Sequence, residues 1–272
     1  MDDGQPILIL RGGGDLASGV ALRCFRAGFH ILITEIPQPL AVRRTVAFAE
    51  AIYMGSIQVE EATGRKVNTP EEIQAAWQTD EIPVIADPEC AIRHVLHPTI
   101  LVDGRMTKQP PDLGRETAGL VIGLGPGFTA GINCHAVIET NRGHFLGRVL
   151  WDGPAQADTG IPEGVDHHQE DRVLRAPAAG RVTLFVTIGE IVEPGEAIAQ
   201  VQEQIIYAPF KGLVRGLIHP GIQVQIGTKI GDLDPRCDPR YTQFVSEKAL
   251  AVGGGVLEAA LSRPDIRHRL LG

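Results

Sequence analysis

One segment near the start of the chain restricts the possible folds more than any other. Residues 7–10 are a continuous apolar run, Ile-Leu-Ile-Leu, which is typical of a buried parallel strand. The next residues, Arg11-Gly12-Gly13-Gly14-Asp15-Leu16-Ala17, fit the pattern G-x-G-x-x-G/A. A helix-spaced apolar series follows up to Gly28, and residues 31–34 form a second apolar strand. The pattern predicts a strand, a glycine loop, a helix and a strand.

The glycine loop has the residues that a phosphate site needs. Gly12 permits a sharp turn, Gly14 lets a pyrophosphate approach the backbone, and Ala17 lets the helix pack closely on the strand. Glu35 follows Gly14 by 21 residues, where a ribose-binding acid is expected. We therefore predict a nucleotide or phosphate site. The alternative is a strand–helix turn that uses its glycines only for packing.

The pattern of strands and helices continues through the first half of the chain. A helix is predicted over 43–51, and Thr69-Pro70-Glu71-Glu72 predicts the start of another. Apolar strands are predicted at 83–86, 99–102 and 119–122. This alternation predicts a Rossmann-like, mostly parallel, doubly wound sheet of the α/β class.

In such a sheet the loops after the strands meet at one edge, where ligands bind. We therefore predict that one pocket contains these residues: Arg11, Gly12, Gly13, Gly14, Asp15, Ala17, Glu35, Arg43, Arg44, Asp103, Gly125 and Gly127. Each also has a simpler explanation: a solvated helix start for the Arg43-Arg44 pair, a turn for Asp103, a loop for Gly125-Pro126-Gly127. His135, Glu139 and His144 are weak catalytic candidates, and a structural hydrogen-bond network is the alternative. No metal site is expected.

The second half contains an internal repeat. Ala176-Pro177-x-x-Gly180-x-Val182 recurs 32 residues later as Ala208-Pro209-x-x-Gly212-x-Val214. Each copy predicts short strands with glycine turns, and two such halves resemble the barrel-sandwich hybrid of biotinyl and lipoyl carriers. The segment joining them, 201–204, has no carrier lysine. A docking or lid element is one interpretation, and a structural appendage is the other.

These patterns predict three parts: a Rossmann-like domain over 1–145, a small all-β barrel-sandwich hybrid over 146–236, and a helical segment over 237–272 that packs back on the first. In the last part Gly253-Gly254-Gly255 either binds an anion at a helix start or packs closely.

Composition excludes some classes of function. Acidic residues outnumber basic ones, 33 to 25, so nucleic acid is not an expected partner. No apolar stretch is long enough for a membrane span, and the acidic N-terminus lacks the features of a secretory signal. The four scattered cysteines suggest reduced thiols. A cytoplasmic protein is the expectation, and a homo-oligomer remains open.

Six motifs lie across the chain: Arg11 to Ala17, Arg43 to Ala51, Gly123 to Phe128, Ile138 to His144, Lys229 to Arg236 and Ser246 to Glu258. These motifs resemble those of the YqeB-type proteins, a family associated with selenium-dependent molybdenum hydroxylases. A more distant likeness is to the XdhC maturation chaperones, which also have a Rossmann domain.

The resemblance implies an accessory or maturation factor whose partner is a molybdenum hydroxylase of the xanthine dehydrogenase type. The cofactor would be molybdopterin or its dinucleotide, bound at the glycine loop. One alternative is an NAD(P)-dependent oxidoreductase, with NAD favoured by Glu35. Another is a scaffold that docks the hydroxylase through its second half. Whether the chain is an enzyme is left open by the sequence.

Overall fold

The computed structural model describes residues 4–158, Val165, His168 and 171–271. The chain divides into two compact units. The first comprises residues 1–39, 48–158 and 245–272, and the second comprises 40–47 and 159–244.

A sheet of nine strands forms the first unit. The strands of this unit are β1 (Ile7–Arg11), β2 (His30–Glu35), β3 (Ser56–Val59), β4 (Ala62–Val67), β5 (Ile82–Ala86), β6 (Ile100–Asp103), β7 (Leu120–Leu124), β8 (Thr129–Ala130), β9 (Ala136–Ile138), β10 (Val149–Leu150) and β11 (Gly153–Pro154). The order in the nine-stranded sheet is β10-β9-β7-β6-β1-β2-β5-β4-β3, and β11 pairs separately with β8. The strands from β9 to β4 are parallel, whereas the edge strands β10 and β3 pair antiparallel with their neighbours.

Helices cover both faces of this sheet. They are α1 (Asp15–Arg26), α2 (Ala51–Met54), α3 (Pro70–Gln78), α4 (Arg93–Leu96), α5 (Glu247–Leu261) and α6 (Pro264–Leu271). Ile9 and Leu32 pack in one core cluster with Ile73 and Trp77 of α3. Leu10 points to the other face, where the main chain of Gly104 lies between Leu10 and Ala17 of α1. The alternation along β1 therefore buries successive side chains on opposite faces.

The close contact of α1 with α5 depends on glycine. A Cβ atom on Gly19 would lie 2.5 Å from the Ala249 carbonyl, and one on Gly253 would lie 2.5 Å from the Gly19 oxygen. The triple glycine lies inside α5, which begins at an N-cap, Ser246, and continues without a break to Leu261. It is therefore a packing feature of a helix interior.

The strands of the second unit are β12 (Val173–Arg175), β13 (Gly180–Leu184), β14 (Ile191–Val192), β15 (Ala197–Val201), β16 (Gln204–Tyr207), β17 (Gly212–Leu217), β18 (Gln223–Val224) and β19 (Lys229–Asp234). They form two antiparallel sheets of four strands, in the orders β12-β19-β17-β14 and β16-β15-β13-β18. The sequence repeat appears in this order, because β13 pairs with β18 and β17 pairs with β14. In each copy of the repeat, the first strand thus pairs with the second strand of the other copy.

The predicted fold class was wrong. The sheet of the first unit is mixed, with antiparallel strands at both edges, and is not a Rossmann-like doubly wound sheet. The link from β6 to β7 contains only a 3₁₀ turn, Arg115–Thr117, and the helix in contact with β7 and β9 is α5, from the far end of the chain. The second unit is two antiparallel sheets, and the barrel-sandwich hybrid is not retained as its description.

The helix predicted over 43–51 was also wrong. Residues Arg44–Val46 and Phe48–Glu50 form separate 3₁₀ turns before the short helix α2. They are separated by Ala47, whose backbone is extended, so the turns cannot join into one helix. The prediction of three parts with boundaries at 145 and 236 stays a prediction.

Candidate functional site

The carboxyl ends of the parallel strands bring charged loops to one edge of the first unit. The segments after β1, β6, β7 and β9 are the glycine loop, 104–119, 125–128 and 139–148. Parallel strands in register end at the same edge of a sheet, which is where ligands bind in open α/β sheets. We call this region the carboxyl edge.

The glycine loop leaves one open position. Gly12 has a positive φ of 91°, and a Cβ atom there would lie 3.2 Å from the Arg105 main chain. Gly14 is the N-cap of α1 and supplies no side chain to the first turn, and a Cβ atom at Gly14 would meet nothing within 4 Å. The first turn of α1 therefore begins at an accessible residue, and the positive end of the helix dipole lies at this N-terminus.

Glu35 supports this loop from the end of β2. Its Oε2 accepts a hydrogen bond from the Gly13 amide at 2.8 Å, and its Oε1 accepts one from the Ile36 amide at 2.8 Å. Burial raises the pKa of this carboxyl and outweighs the two hydrogen bonds, which lower it. The geometry thus gives Glu35 a role in positioning the loop, and its contact with a ribose stays a prediction.

A network of two arginines and two aspartates lies beside the glycine loop. Arg11, only 1% exposed, donates to both oxygens of Asp112 at 2.7 and 2.9 Å and to Asp103 at 3.3 Å. Arg105 donates to Asp103 at 2.6 Å and to Asp112 at 2.5 Å. Hydrogen bonds from Arg11 hold the pKa of Asp112 well below its usual range. The donors of Arg11 are therefore buried, and the half-exposed carboxylate of Asp112 lies between them and the solvent.

A second charged group lies at the ends of β7 and β9. Glu139 is buried, and its two carboxylate oxygens accept hydrogen bonds from the backbone N–H groups of Asn141 and Gln156 at 2.7 and 2.8 Å. Gly125 has a positive φ of 69°, and a Cβ atom on it would lie 2.3 Å from the Thr140 hydroxyl. This glycine therefore lets the loop after β7 close against the one after β9.

Lys248, in the first turn of α5, faces this group. Burial lowers the pKa of its ammonium, and the positive charge of Arg142 lowers it further. The opposing charges of Asp15, Glu139 and Glu247 reduce that shift. Arg142 pairs with Glu247 at 2.6 Å. Because Ala249, the next residue, lies against Gly19 of α1, this partly buried cation belongs to the turn of α5 that packs on the N-terminal half of α1. The sequence analysis missed it because residue 248 is remote from the glycine loop, and only the shared motif 246–258 could have indicated it.

Two of the residues predicted for the pocket do not belong to the unit that contains the carboxyl edge. Arg43 and Arg44 belong to the second unit. There Arg43 donates to the Tyr241 and Phe244 carbonyls, and Arg44 donates to the Leu217 carbonyl.

The weak catalytic candidates do not form one group. His135 precedes β9 and Glu139 follows it, so they are about 13 Å apart along the strand at 3.3 Å per residue. His135 Nδ1 accepts from the Val121 amide at 2.9 Å, and burial lowers the pKa of its imidazole. His144 is exposed, with its ring against Phe145. The roles of His135 and Glu139 seen here are structural hydrogen bonds.

Ala17 and Gly127 are packing positions at this edge. Ala17 lies against Gly104, where a Cβ atom would be 3.2 Å from its methyl group. A Cβ atom on Gly127 would lie 2.6 Å from the Gln109 carbonyl oxygen. Within the described ranges, no three His, Cys, Asp or Glu side chains are grouped as metal ligands, and no helix has the length and apolar character to cross a bilayer.

Fold and site together define an α/β protein with a charged site at the carboxyl edge of a mixed sheet. The chain is 46% identical over 258 residues to the uncharacterized protein YqeB of Escherichia coli strain K12. The match covers 95% of this chain and 48% of that protein, so the chain spans about half the length of its curated relative. This similarity supports the YqeB family, as the sequence motifs predicted.

Other comparisons add little. No protein-family model matches the chain. An aspartoacylase family protein from Mesorhizobium loti aligns with 85% of this chain and 84% of its own at 10% identity, with a TM-score of 0.27. The ectoine utilization protein EutE (DoeB) of Ruegeria pomeroyi aligns with 84% and 86% at 12% identity, with a TM-score of 0.25. Likeness at this level supports no statement about activity.

Proposed function

We propose that the chain is an accessory or maturation factor for selenium-dependent molybdenum hydroxylases and binds a phosphorylated pterin at the carboxyl edge. The ligand is molybdopterin or its dinucleotide, and the client is a hydroxylase of the xanthine dehydrogenase type. The observation that supports this proposal most is the accessible, uncapped start of α1 at Gly14, with α5 packed on α1 so that Ala249, the neighbour of Lys248, lies against Gly19.

The physical basis is anion binding by a helix start. The first amides of a helix lack intrahelical acceptors, and the helix dipole favours negative charge there. At this edge, Lys248 adds a cation whose hydration is already partly lost through burial. Lost hydration lowers the cost of replacing water by a phosphate oxygen. The YqeB resemblance supplies the pathway.

A ligand panel tests the proposal. The purified chain is mixed with molybdopterin, its cytosine dinucleotide, CTP and NAD, and the melting temperature is measured. A ligand that binds the folded state raises stability by mass action, by about 2.7 kcal/mol at 100 times its Kd. We expect stabilisation by the pterin forms. Stabilisation by NAD alone would replace this proposal by the oxidoreductase alternative.

Two matched variants locate the site. Gly14→Glu adds a carboxylate at the open position, where nothing lies within 4 Å of the added Cβ atom and φ is −69°. We expect at least a tenfold loss of affinity, about 1.4 kcal/mol. Gly254→Glu adds the same charge at another position with open space and is expected to bind normally. Equal affinity of the two variants would remove the glycine loop from the site.

A cellular measurement tests the pathway. In a strain lacking the protein, the molybdenum content of the purified client hydroxylase should fall while its polypeptide level stays constant. Restoring the wild-type gene should restore the metal content, and the Gly14→Glu form should not. An unchanged content in the deletion strain would contradict the maturation role.

A further inference from the structure

Asp112 occupies a position suited to a ligand's anionic group. Its two oxygens accept from Arg11 at 2.7 and 2.9 Å, and Arg105 donates a further bond at 2.5 Å. The Arg11 side chain is 1% exposed, whereas that of Asp112 is 48% exposed. A buried guanidinium fork is therefore covered on its outer side by a carboxylate from a surface loop.

Charge balance shows what would follow if that carboxylate left. Arg11 and Arg105 face Asp103 and Asp112, so the four groups are neutral together. Without Asp112, one positive charge is left uncompensated at a buried guanidinium, which is costly. A phosphate group fits the same fork, because arginine binds carboxylate and phosphate through the same parallel pair of N–H donors.

The loop that presents Asp112 is under backbone strain. Residues 104–114 link β6 to the 3₁₀ turn at Arg115, and they contain Met106 and Lys108 with φ of 56° and 60°. Such values are unfavourable for residues other than glycine, so contacts elsewhere must hold the loop closed. At the two ends of the loop, the Gly104 amide donates to the Arg11 carbonyl at 2.9 Å and Leu113 packs against the core of the unit. Between these ends two contacts are ionic: Lys108 pairs with Asp158 at 2.7 Å, and Asp112 pairs with Arg11 and Arg105. An anion can compete for the bonds of Asp112.

We propose that Asp112 is an internal competitor, which a phosphate or pyrophosphate group of the ligand displaces from Arg11 and Arg105, releasing residues 106–112. This inference rests on the proposed function for the identity of the ligand and adds a second phosphate contact and an opening step to the same site. Its chemistry requires only an anion with two adjacent oxygens.

Binding of pyrophosphate and of CTP by isothermal titration calorimetry, at constant ionic strength, tests the competition. Asp112→Asn removes the competing charge, and we expect it to bind pyrophosphate about tenfold more tightly than wild type, because a neutral acceptor competes less well than a carboxylate for the two arginines. Asp158→Asn is the matched control, because it removes an acid and a loop contact but leaves the fork covered. Equal gains in both variants, or no gain in Asp112→Asn, would overturn the inference. Tighter binding of CTP than of pyrophosphate identifies a nucleotide-linked phosphate as the source.

Hydrogen exchange in the wild-type chain tests the opening step without any variant. Saturating pyrophosphate should increase amide exchange in 106–112 while leaving exchange in α3 unchanged. Unchanged or slower exchange in the loop would overturn the inference, even if Asp112→Asn fails to fold. The two proposals fail separately: binding of molybdopterin without loop release refutes only the internal competitor, whereas pyrophosphate-induced release without binding of any pterin refutes only the proposed cofactor.

Discussion

Three consecutive glycines in α5 should respond in opposite ways to the same substitution. Gly254→Ala adds a methyl group where nothing lies within 4 Å. Alanine is favoured over glycine inside a helix by about 0.5–1 kcal/mol, so this variant should be more stable than wild type by that amount.

Gly253→Ala meets a different environment. Its Cβ atom would lie 2.5 Å from the Gly19 carbonyl oxygen and 2.9 Å from Arg23 Cγ. Separating α1 from α5 by the required distance should cost about 1–3 kcal/mol, the usual range for overpacking. After the helix-propensity gain is subtracted, we expect a net loss of roughly 0.5–2 kcal/mol. Gly255→Ala, whose Cβ would lie 2.2 Å from the Gly147 oxygen, should behave likewise.

Urea unfolding of the three variants and wild type, followed by far-ultraviolet circular dichroism, measures these differences. The midpoint should rise for Gly254→Ala and fall for the other two, with unchanged slopes. In chains of 150–250 residues, 1 kcal/mol corresponds to about 2–4 °C in melting temperature, so a thermal scan resolves the same order. Stabilisation by Gly253→Ala would refute the glycine-mediated contact of α1 with α5, and stabilisation by Gly255→Ala would refute the close contact of α5 with Gly147.

Three further predictions concern titratable groups. Cys237, the only partly exposed thiol among the four cysteines, should be the first to react with a thiol reagent in the folded protein, the others reacting only on unfolding; several fast thiols would contradict this. Asp232→Asn should destabilise the second unit by about 3–5 kcal/mol at pH 7, because it breaks a buried pair with Arg215. The pKa of Asp232 is lowered overall, because the charges of Lys229 and Arg215 outweigh the opposite effect of burial. The carboxylate therefore stabilises the fold above pH 3.8, and this contribution is lost as the pH falls below that value. In unfolding measurements the penalty of Asp232→Asn should shrink below pH 3.8. Burial raises the pKa of Glu35, so its contribution to stability is present below 4.5 and is lost as pH rises; Glu35→Gln should lose less unfolding free energy than wild type between pH 4 and 8.

Local structure was largely predictable from the sequence. The segment 7–35 folds as strand, glycine loop, helix and strand, because each part depends on residues close in sequence. The cap at Thr69 was equally local: its hydroxyl accepts from the Glu72 amide at 3.3 Å. The 32-residue repeat also reappears as matching strands.

The sheet and the site were decided by tertiary structure. Apolar strands do not specify their partners, so the antiparallel edges and the final strand order depend on packing of the whole unit. The cover of β7 and β9 comes from α5, whose Gly253 permits close packing on Gly19 of α1 only once both helices are formed. The same docking brings Lys248 near Asp15, and closure of the 104–114 loop pairs Asp112 with Arg11 across 101 residues of chain. The sequence by itself therefore determined the glycine loop and its flanking elements, whereas long-range packing determined which charges meet it.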